Sequence, residues 1–285
     1  MYDVIIVGSG PAGLSAALYT SRANLKTLVI GKDRGALAKA DKIENYFGMD
    51  RPVSGCELVE NTRNQAKNLG VEFQEDEIFH ISWNGGLALE GRAASYEAKA
   101  VLLATGSERK TAKVPGIREL EGRGVSYCAI CDAFFYRGKD VALLGNEEYA
   151  IHEMGQLLPV VKSVTLLTNG EELKAEVPAN VRVIETPLAS VDGSDTVEGV
   201  TFTDGASLET AGVFVALGSA GAAALARKAG AMTEGRNIRV NDKMETNVPG
   251  LYAAGDCTGG LLQISKAVGE GAVAAMSMIS FVRRK

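Results

Sequence analysis

The stretch YDVIIVGSGPAGLSAALYTSRANLKTLVIG, from Tyr2 to Gly31, narrows the choice of fold more than any other part of this chain. An apolar run, a glycine turn, an amphipathic helical segment and a second apolar run, all within about thirty residues, make a βαβ unit, the building block of parallel α/β sheets. In the turn Gly8-Ser9-Gly10-Pro11-Ala12-Gly13, the three glycines fill the G-x-G-x-x-G positions. The first permits the tight turn, the second lets a pyrophosphate approach the backbone, and the third lets helix pack on strand. The helix start then offers unpaired N–H groups and a positive dipole end to phosphate. A lone glycine turn also occurs as a plain bend in other α/β proteins; the strand before it and the helix after it favour dinucleotide binding. The second strand ends at Gly31, where an acid often meets the ribose, so phosphate recognition is better specified than adenosine recognition.

The same grammar recurs. A helix is expected over 54–69 (SGCELVENTRNQAKNL), and short alternating runs before AVLLATG suggest antiparallel strands leading into a buried one. DVALLG to SVTLLTNG, at 140–170, reads as a second βαβ unit, and GVFVALG at 212–218 echoes AVLLATG at 100–106. NVPGLYAAGDCTGG returns to strand-turn-helix near the C-terminus, so the tail is expected to complete the first domain. With 285 residues and 46% hydrophobic content, two domains are the natural division. A net charge of −5 offers no general attraction to nucleic acid or anionic lipid. DVIIVG is too short for a signal sequence core or a membrane span, which predicts a soluble, cytoplasmic protein.

Of the four cysteines, Cys56, Cys128, Cys131 and Cys257, only Cys128 and Cys131 are closely spaced. A structural zinc needs about four ligands; the other cysteines are remote and the histidines are His80 and His152, so no metal is expected. A C-x-x-C pair at the start of a helix holds two thiols within disulfide reach and lowers a thiol pKa. Asp132, next in sequence, suits proton exchange with a sulfur. The competing reading makes the pair buried small hydrophobes. Cys56 and Cys257 read as structural.

Taken in order, VGSGPAGLSAALYTSRA, IENYFG, ATG, CAICD and VPGLYAAGDCTGG resemble the low-molecular-weight thioredoxin reductases across essentially the whole chain. The resemblance implies two Rossmann-like domains of three-layer ββα type, an FAD-binding domain from residues 1–109 and 242–285 and an inserted central domain, 110–241, and it implies a homodimer. FAD would lie on Gly8 to Gly13, along Asn45, and against Gly255 and Asp256. Gln263 stands where the family has Arg-Gln, but Leu262 precedes it here. By the same resemblance Cys131 faces the flavin, Cys128 attacks the protein disulfide, and Asp132 is the acid–base group.

Family members that use NADPH need a second glycine turn in the central domain. Here LLGNEEYA supplies Gly145 and Ala150, but Glu147 takes the middle glycine and Glu148 follows. Two like unit charges about 4 Å apart at an effective dielectric near 20 repel by roughly 4 kcal/mol, nearly a thousandfold in affinity. The arginine pair that grips the 2′-phosphate is replaced by TNGEE, and no acid stands at the strand tip for NAD. With FAD and dithiol kept and the nucleotide motifs degraded, the chain is most similar to the ferredoxin-dependent flavin thioredoxin reductases, implying reduced ferredoxin as one-electron donor and thioredoxin as acceptor. Lys32, Arg34, Lys39 and Lys42, or the terminal Arg283, Arg284 and Lys285, are candidate faces for an acidic ferredoxin. Phe134, Phe135 and Tyr136 are expected in the core, with thioredoxin contact as the alternative. Rival readings are an NAD(P)H-dependent reductase with a divergent site, a non-catalytic flavin-binding sensor, and a relative serving a peroxidase.

Overall fold

The protein is described by a computed structural model covering residues 1–83, 85–106, 112–127, 129–217 and 221–284, with the side chains of residues 39, 130 and 131 outside the description. Two compact units divide the chain: Met1–Glu108 with Gly221–Lys285, and Arg109–Ala220.

The first unit opens with β1 (Tyr2–Val7), α1 (Pro11–Arg22), β2 (Thr27–Gly31), α2 (Gly55–Asn68), β3 (Glu72–Glu75), β4 (Ile78–Trp83), β5 (Leu87–Gly91) and β6 (Ser95–Leu103). The strands run in the order β3-β2-β1-β6-β5-β4. β1 pairs in parallel with β2, Val7 opposite Ile30, and with β6, Val7 opposite Leu103. β6 changes partners along its length: Ser95 to Ala98 pair antiparallel with β5, and the rest runs parallel to β1. The continuous apolar runs follow from cover on both faces, with Val4, Ile5 and Ile6 fully buried. The helix expected at 54–69 forms as α2, because Ser54 Oγ accepts the Glu57 N–H at 3.1 Å and caps it.

The second unit holds β7 (Val125–Ser126), α3 (Ala129–Asp132), β8 (Asp140–Leu144), α4 (Glu148–Leu157), β9 (Ser163–Leu167), β10 (Arg182–Ile184), β11 (Leu188–Asp192), β12 (Gly199–Phe202), β13 (Ser207–Glu209) and β14 (Val213–Val215). A parallel sheet in the order β10-β9-β8-β14-β7 and an antiparallel sheet β11-β12-β13 enclose a core that includes Val125, Leu144, Leu167, Phe202 and Val213. Both units are thus Rossmann-like α/β folds, each with parallel strands, antiparallel strands and helices.

The chain rejoins the first unit at Gly221, not at residue 242 as the sequence suggested. The reason is α5 (Ala222–Lys228), which packs on β4 and whose Lys228 Nζ donates to Phe79 O at 2.8 Å. β15 (Thr233–Glu234), β16 (Asn237–Ile238), β17 (Leu251–Ala253) and α6 (Ile264–Arg283) follow. β17 joins the sheet parallel to β6, with Leu251 opposite Val101. α6 lies along α1 through small residues: Ala12, Ala16 and Ala17 meet Ala267, Ala274 and Ala275, and a Cβ at Gly271 would overlap Ala12 O. Among the described residues no helix is long and apolar enough to cross a membrane.

Candidate active site

The first glycine turn joins β1 to α1. Gly8 has φ +121°, and a Cβ there would overlap Ala104 O at the end of β6. A Cβ at Gly13 would overlap Gly8 O, so that residue is fixed by helix-on-strand contact. Gly10 differs, since a Cβ would meet nothing within 4 Å. It is also the N-cap of α1, with no side chain satisfying the helix N–H groups and Pro11 in the first turn. Ser9 turns its hydroxyl away, donating to Asp33 O at 2.8 Å.

The C-terminal tail brings Gly255 beside this turn, with its Cβ position 3.0 Å from the Ala12 methyl. Gly255 has φ +88°, and the half-buried Asp256 begins the single turn Asp256–Thr258. This loop is held by two side chains that its sequence motif did not flag. Lys266 Nζ donates to Gly255 O at 2.8 Å, to Thr258 Oγ1 at 2.9 Å and to Gly259 O, and pairs with Glu270 Oε2 at 3.1 Å. Glu270 Oε2 accepts the Gly255 N–H at 2.8 Å and the Thr258 hydroxyl at 2.9 Å. Their i,i+4 spacing on α6 was the only signal in the sequence. Asn45 and Gln263, remote in sequence, meet through Asn45 Nδ2 donating to Gln263 Oε1 at 3.2 Å. At the tip of β2, Lys32 pairs with the buried Glu77 at 2.9 Å, so a carboxylate reaches that corner although Gly31 is not one.

In the second unit Cys128 lies outside the described residues, and Cys131 is placed by its backbone on α3. Asp132 is half-buried and accepts the Ser126 hydroxyl at 2.6 Å. The N–H of Ala129, at the start of α3, donates to Glu153 Oε2 of α4 at 2.7 Å. Beyond α3 a short 3-10 helix runs from Ala133 to Tyr136. Its residues i and i+3 eclipse, so Ala133 and Tyr136 turn inward, with Tyr136 edge-on to Phe214 at 5.2 Å. Phe134 and Phe135 point outward, 68% and 70% exposed. The core expectation therefore holds for Tyr136 and is corrected for both phenylalanines. Burial, and secondarily the nearby Asp132 charge, pushes the Tyr136 hydroxyl pKa up.

The family described as pyridine nucleotide-disulphide oxidoreductase matches residues 2–271. This chain belongs to that family, among the thioredoxin reductases. It is 36% identical to the thioredoxin reductase of Bacillus subtilis (strain 168) over 99% of this chain and 95% of the relative. Among solved structures, the atypical thioredoxin reductase TRi from Desulfovibrio vulgaris Hildenborough superposes with a TM-score of 0.93 at 37% identity, covering 100% of this chain and 99% of that one. A ferredoxin-flavin thioredoxin reductase from Clostridium acetobutylicum gives a TM-score of 0.73 at 34% identity, over 100% and 99% of the two chains. The chain is a flavoprotein disulfide oxidoreductase with FAD as its cofactor. Its residues fit that group: the open side of Gly10, the uncapped start of α1 and the Gly255 loop converge on one place.

The second glycine turn of the oxidoreductase is built differently from this flavin turn. Gly145 is retained for packing, because a Cβ there would overlap Ala216 O and Ala150 Cβ. Glu147 is the N-cap of α4, and its Oε1 lies 3.7 Å from Lys174 Nζ. Asn146, 4% exposed, donates its Nδ2 to Glu172 O at 2.9 Å, and its own carbonyl accepts the Lys174 N–H at 2.8 Å. The segment after β9 thus folds back onto the turn. Asn169, φ +56°, points its Oδ1 at the Leu188 N–H, 2.7 Å away.

Cys257 is buried, its thiol donating to Leu103 O at 3.4 Å and Ala254 O at 3.3 Å, and burial pushes its pKa up to about 12. Cys56 accepts from Arg34 Nη1 at 3.4 Å. No cluster of metal-ligating side chains occurs among the described residues. Neither proposed basic face is a free block of charge. Lys32 pairs with Glu77 at 2.9 Å, Arg34 with Glu60 at 3.2 Å and Lys42 with Glu44 at 2.9 Å, while the Lys39 side chain lies outside the description. Arg283 donates to Ala23 O at 3.1 Å at the far end of α1, and Lys285 lies outside the described residues.

Proposed function

We propose that this flavoprotein reduces thioredoxin through a Cys128–Cys131 dithiol and receives its electrons from reduced ferredoxin instead of NADPH, as a cytoplasmic homodimer. The observation that carries the donor reading is the contrast between Gly10, open on its phosphate side, and Glu147, whose carboxylate stands at the matching place beneath a segment bonded down through Asn146, Glu172 and Lys174. A pyrophosphate would have to displace that segment and sit against a carboxylate. The name of the Clostridium acetobutylicum structure supports the same donor.

Gly8, Ser9, Gly10, Pro11, Ala12, Gly13, Asn45, Gly255, Asp256 and Gln263 would hold FAD, which when bound supplies a two-electron store that also fills one electron at a time. In this assignment Cys128, as thiolate, attacks one sulfur of the thioredoxin disulfide. That bond breaks, a mixed disulfide forms, and the departing thioredoxin sulfur takes a proton through Asp132, which Ser126 orients. Cys131 then attacks the Cys128 sulfur, closing the Cys128–Cys131 disulfide and releasing the second thioredoxin sulfur. The dithiol loses two electrons and thioredoxin gains two. Exposed Phe134 and Phe135 beside α3 offer thioredoxin an apolar contact. From Ser265 to Ser280 the exposed residues of α6, Ser265, Gly269, Val273, Met276 and Ser280, carry no charge, which favours a second copy there, with Arg283 at its edge.

The test is anaerobic addition of NADPH, NADH or reduced ferredoxin to the FAD-loaded protein, following loss of the oxidised flavin spectrum. Reduction by ferredoxin is expected, with NADPH inert at sub-millimolar concentration. Rapid bleaching by NADPH would sink the donor reading and restore the divergent-site alternative. Cys128→Ser should abolish thioredoxin reduction and leave flavin reduction intact; loss of both would overturn the roles given to the two thiols.

A further inference from the structure

α4 has kept its place although the turn before it is built differently, and its buried face suggests why. Glu153 is 2% exposed, a costly position for a carboxyl group without a specific partner. Its Oε2 accepts the N–H of Ala129 at 2.7 Å. One turn earlier on the same face, Tyr149, 3% exposed, donates its hydroxyl to Tyr127 O at 3.5 Å. The two side chains therefore take hold of the residues on either side of position 128.

We propose that Glu153, assisted by Tyr149, is a positioning residue for the redox thiol Cys128, and that α4 serves as the platform of the dithiol instead of a nucleotide-binding helix. The inference rests on the dithiol reading above. Backbone N–H groups at the start of a helix stabilise a neighbouring thiolate. By occupying the Ala129 N–H, Glu153 leaves that donor unavailable to a thiolate, which disfavours the reduced form and keeps the dithiol strongly reducing toward its partner. It also fixes the peptide on the C-terminal side of Cys128, where an attack on a second protein's disulfide depends on alignment.

The experiment equilibrates FAD-loaded wild type, Glu153→Ala and Glu153→Gln in dithiothreitol or glutathione buffers and counts free thiols by alkylation. Glu153→Ala should shift the dithiol–disulfide equilibrium about tenfold toward the dithiol, about 30 mV for two electrons, and speed alkylation of the reduced enzyme at fixed pH. Glu153→Gln, which keeps an acceptor oxygen, should stay within about twofold of wild type. An unchanged equilibrium in Glu153→Ala, even with a lowered melting temperature, overturns the proposal, as does a Gln variant that shifts as far as the Ala variant. If Glu153→Ala yields no folded holoenzyme, Glu153→Asp, which draws the acceptor back by one methylene, takes its place with the same expected direction. A wild type that shows no two-thiol transition at all would instead remove the dithiol reading itself.

Discussion

At Gly8 and Gly13 an added methyl collides with backbone, whereas at Gly10 it meets open space, so three glycines of one turn answer to different forces. Gly8→Ala is expected to lower the melting temperature of the apoprotein, because φ +121° and the Ala104 carbonyl both oppose a side chain. Gly10→Ala should leave apoprotein melting unchanged and weaken FAD by about tenfold or more, roughly 1.4 kcal/mol, as read by flavin fluorescence. These positions were legible in the sequence because only glycine satisfies each demand. Glu153 was not, since its partner is a backbone N–H 24 residues away that no spacing rule reports. Cys257 gives a pH-dependent case. Its folded pKa is raised to about 12 from an ordinary 9.0, chiefly by burial, so the unfolded chain loses its proton first and stability falls as pH rises from 9 toward 12. The slope from one such proton is up to about 1.4 kcal/mol per pH unit. Tyr252, also pushed up to about 12 by burial, acts in the same sense above its ordinary value. Urea unfolding of Cys257→Ala should show a shallower alkaline decline than wild type.

Among the elements, α6 does two jobs, packing its small residues on α1 and holding the Gly255 loop with Lys266 and Glu270. With side chains only 16% and 20% exposed, neither partner is well solvated alone. Lys266→Met should therefore destabilise the fold by about 1–3 kcal/mol, and adding Glu270→Gln should recover part of that loss, as a urea double-mutant cycle would reveal. The helices and strands themselves were readable from their apolar patterning, as 54–69 shows for α2; the Ser54 cap on the Glu57 N–H came only with the structure. The return to the first unit at Gly221 was not, because α5 has seven residues, AAALARK, too few for a helical period to stand out, and its docking on β4 is a tertiary contact. The segment after β9 was readable as lacking arginines. That it folds over the glycine turn depends on the Asn146 and Lys174 bonds, which composition does not encode.

Over the whole molecule, the echo between AVLLATG and GVFVALG has a structural meaning. In each unit the alanine ending that strand, Ala104 or Ala216, packs its carbonyl against the first glycine of the turn, Gly8 or Gly145. One architecture is thus used twice, with Gly10 at the N-cap of the first turn's helix in one unit and Glu147 at the matching place in the other. On the proposed ferredoxin reading, electrons need a docking surface, and the charge map limits how that surface works. Lys32, Arg34 and Lys42 are each matched by a carboxylate, so from a distance their fields largely cancel. The Arg283 end is separated from the flavin turn by the length of α1, about 18 Å at 1.5 Å per residue. An acidic ferredoxin should accordingly find little long-range steering. Flavin reduction by reduced ferredoxin, followed by stopped-flow, is expected to slow by no more than about threefold between low and physiological salt, where strongly steered pairs change by an order of magnitude or more. Arg34→Ala and Lys42→Ala should each alter that rate by less than about twofold, as paired surface charges do. A steep salt dependence, or a large loss in either variant, would place the donor on the 31–42 loop with its ion pairs opened on contact.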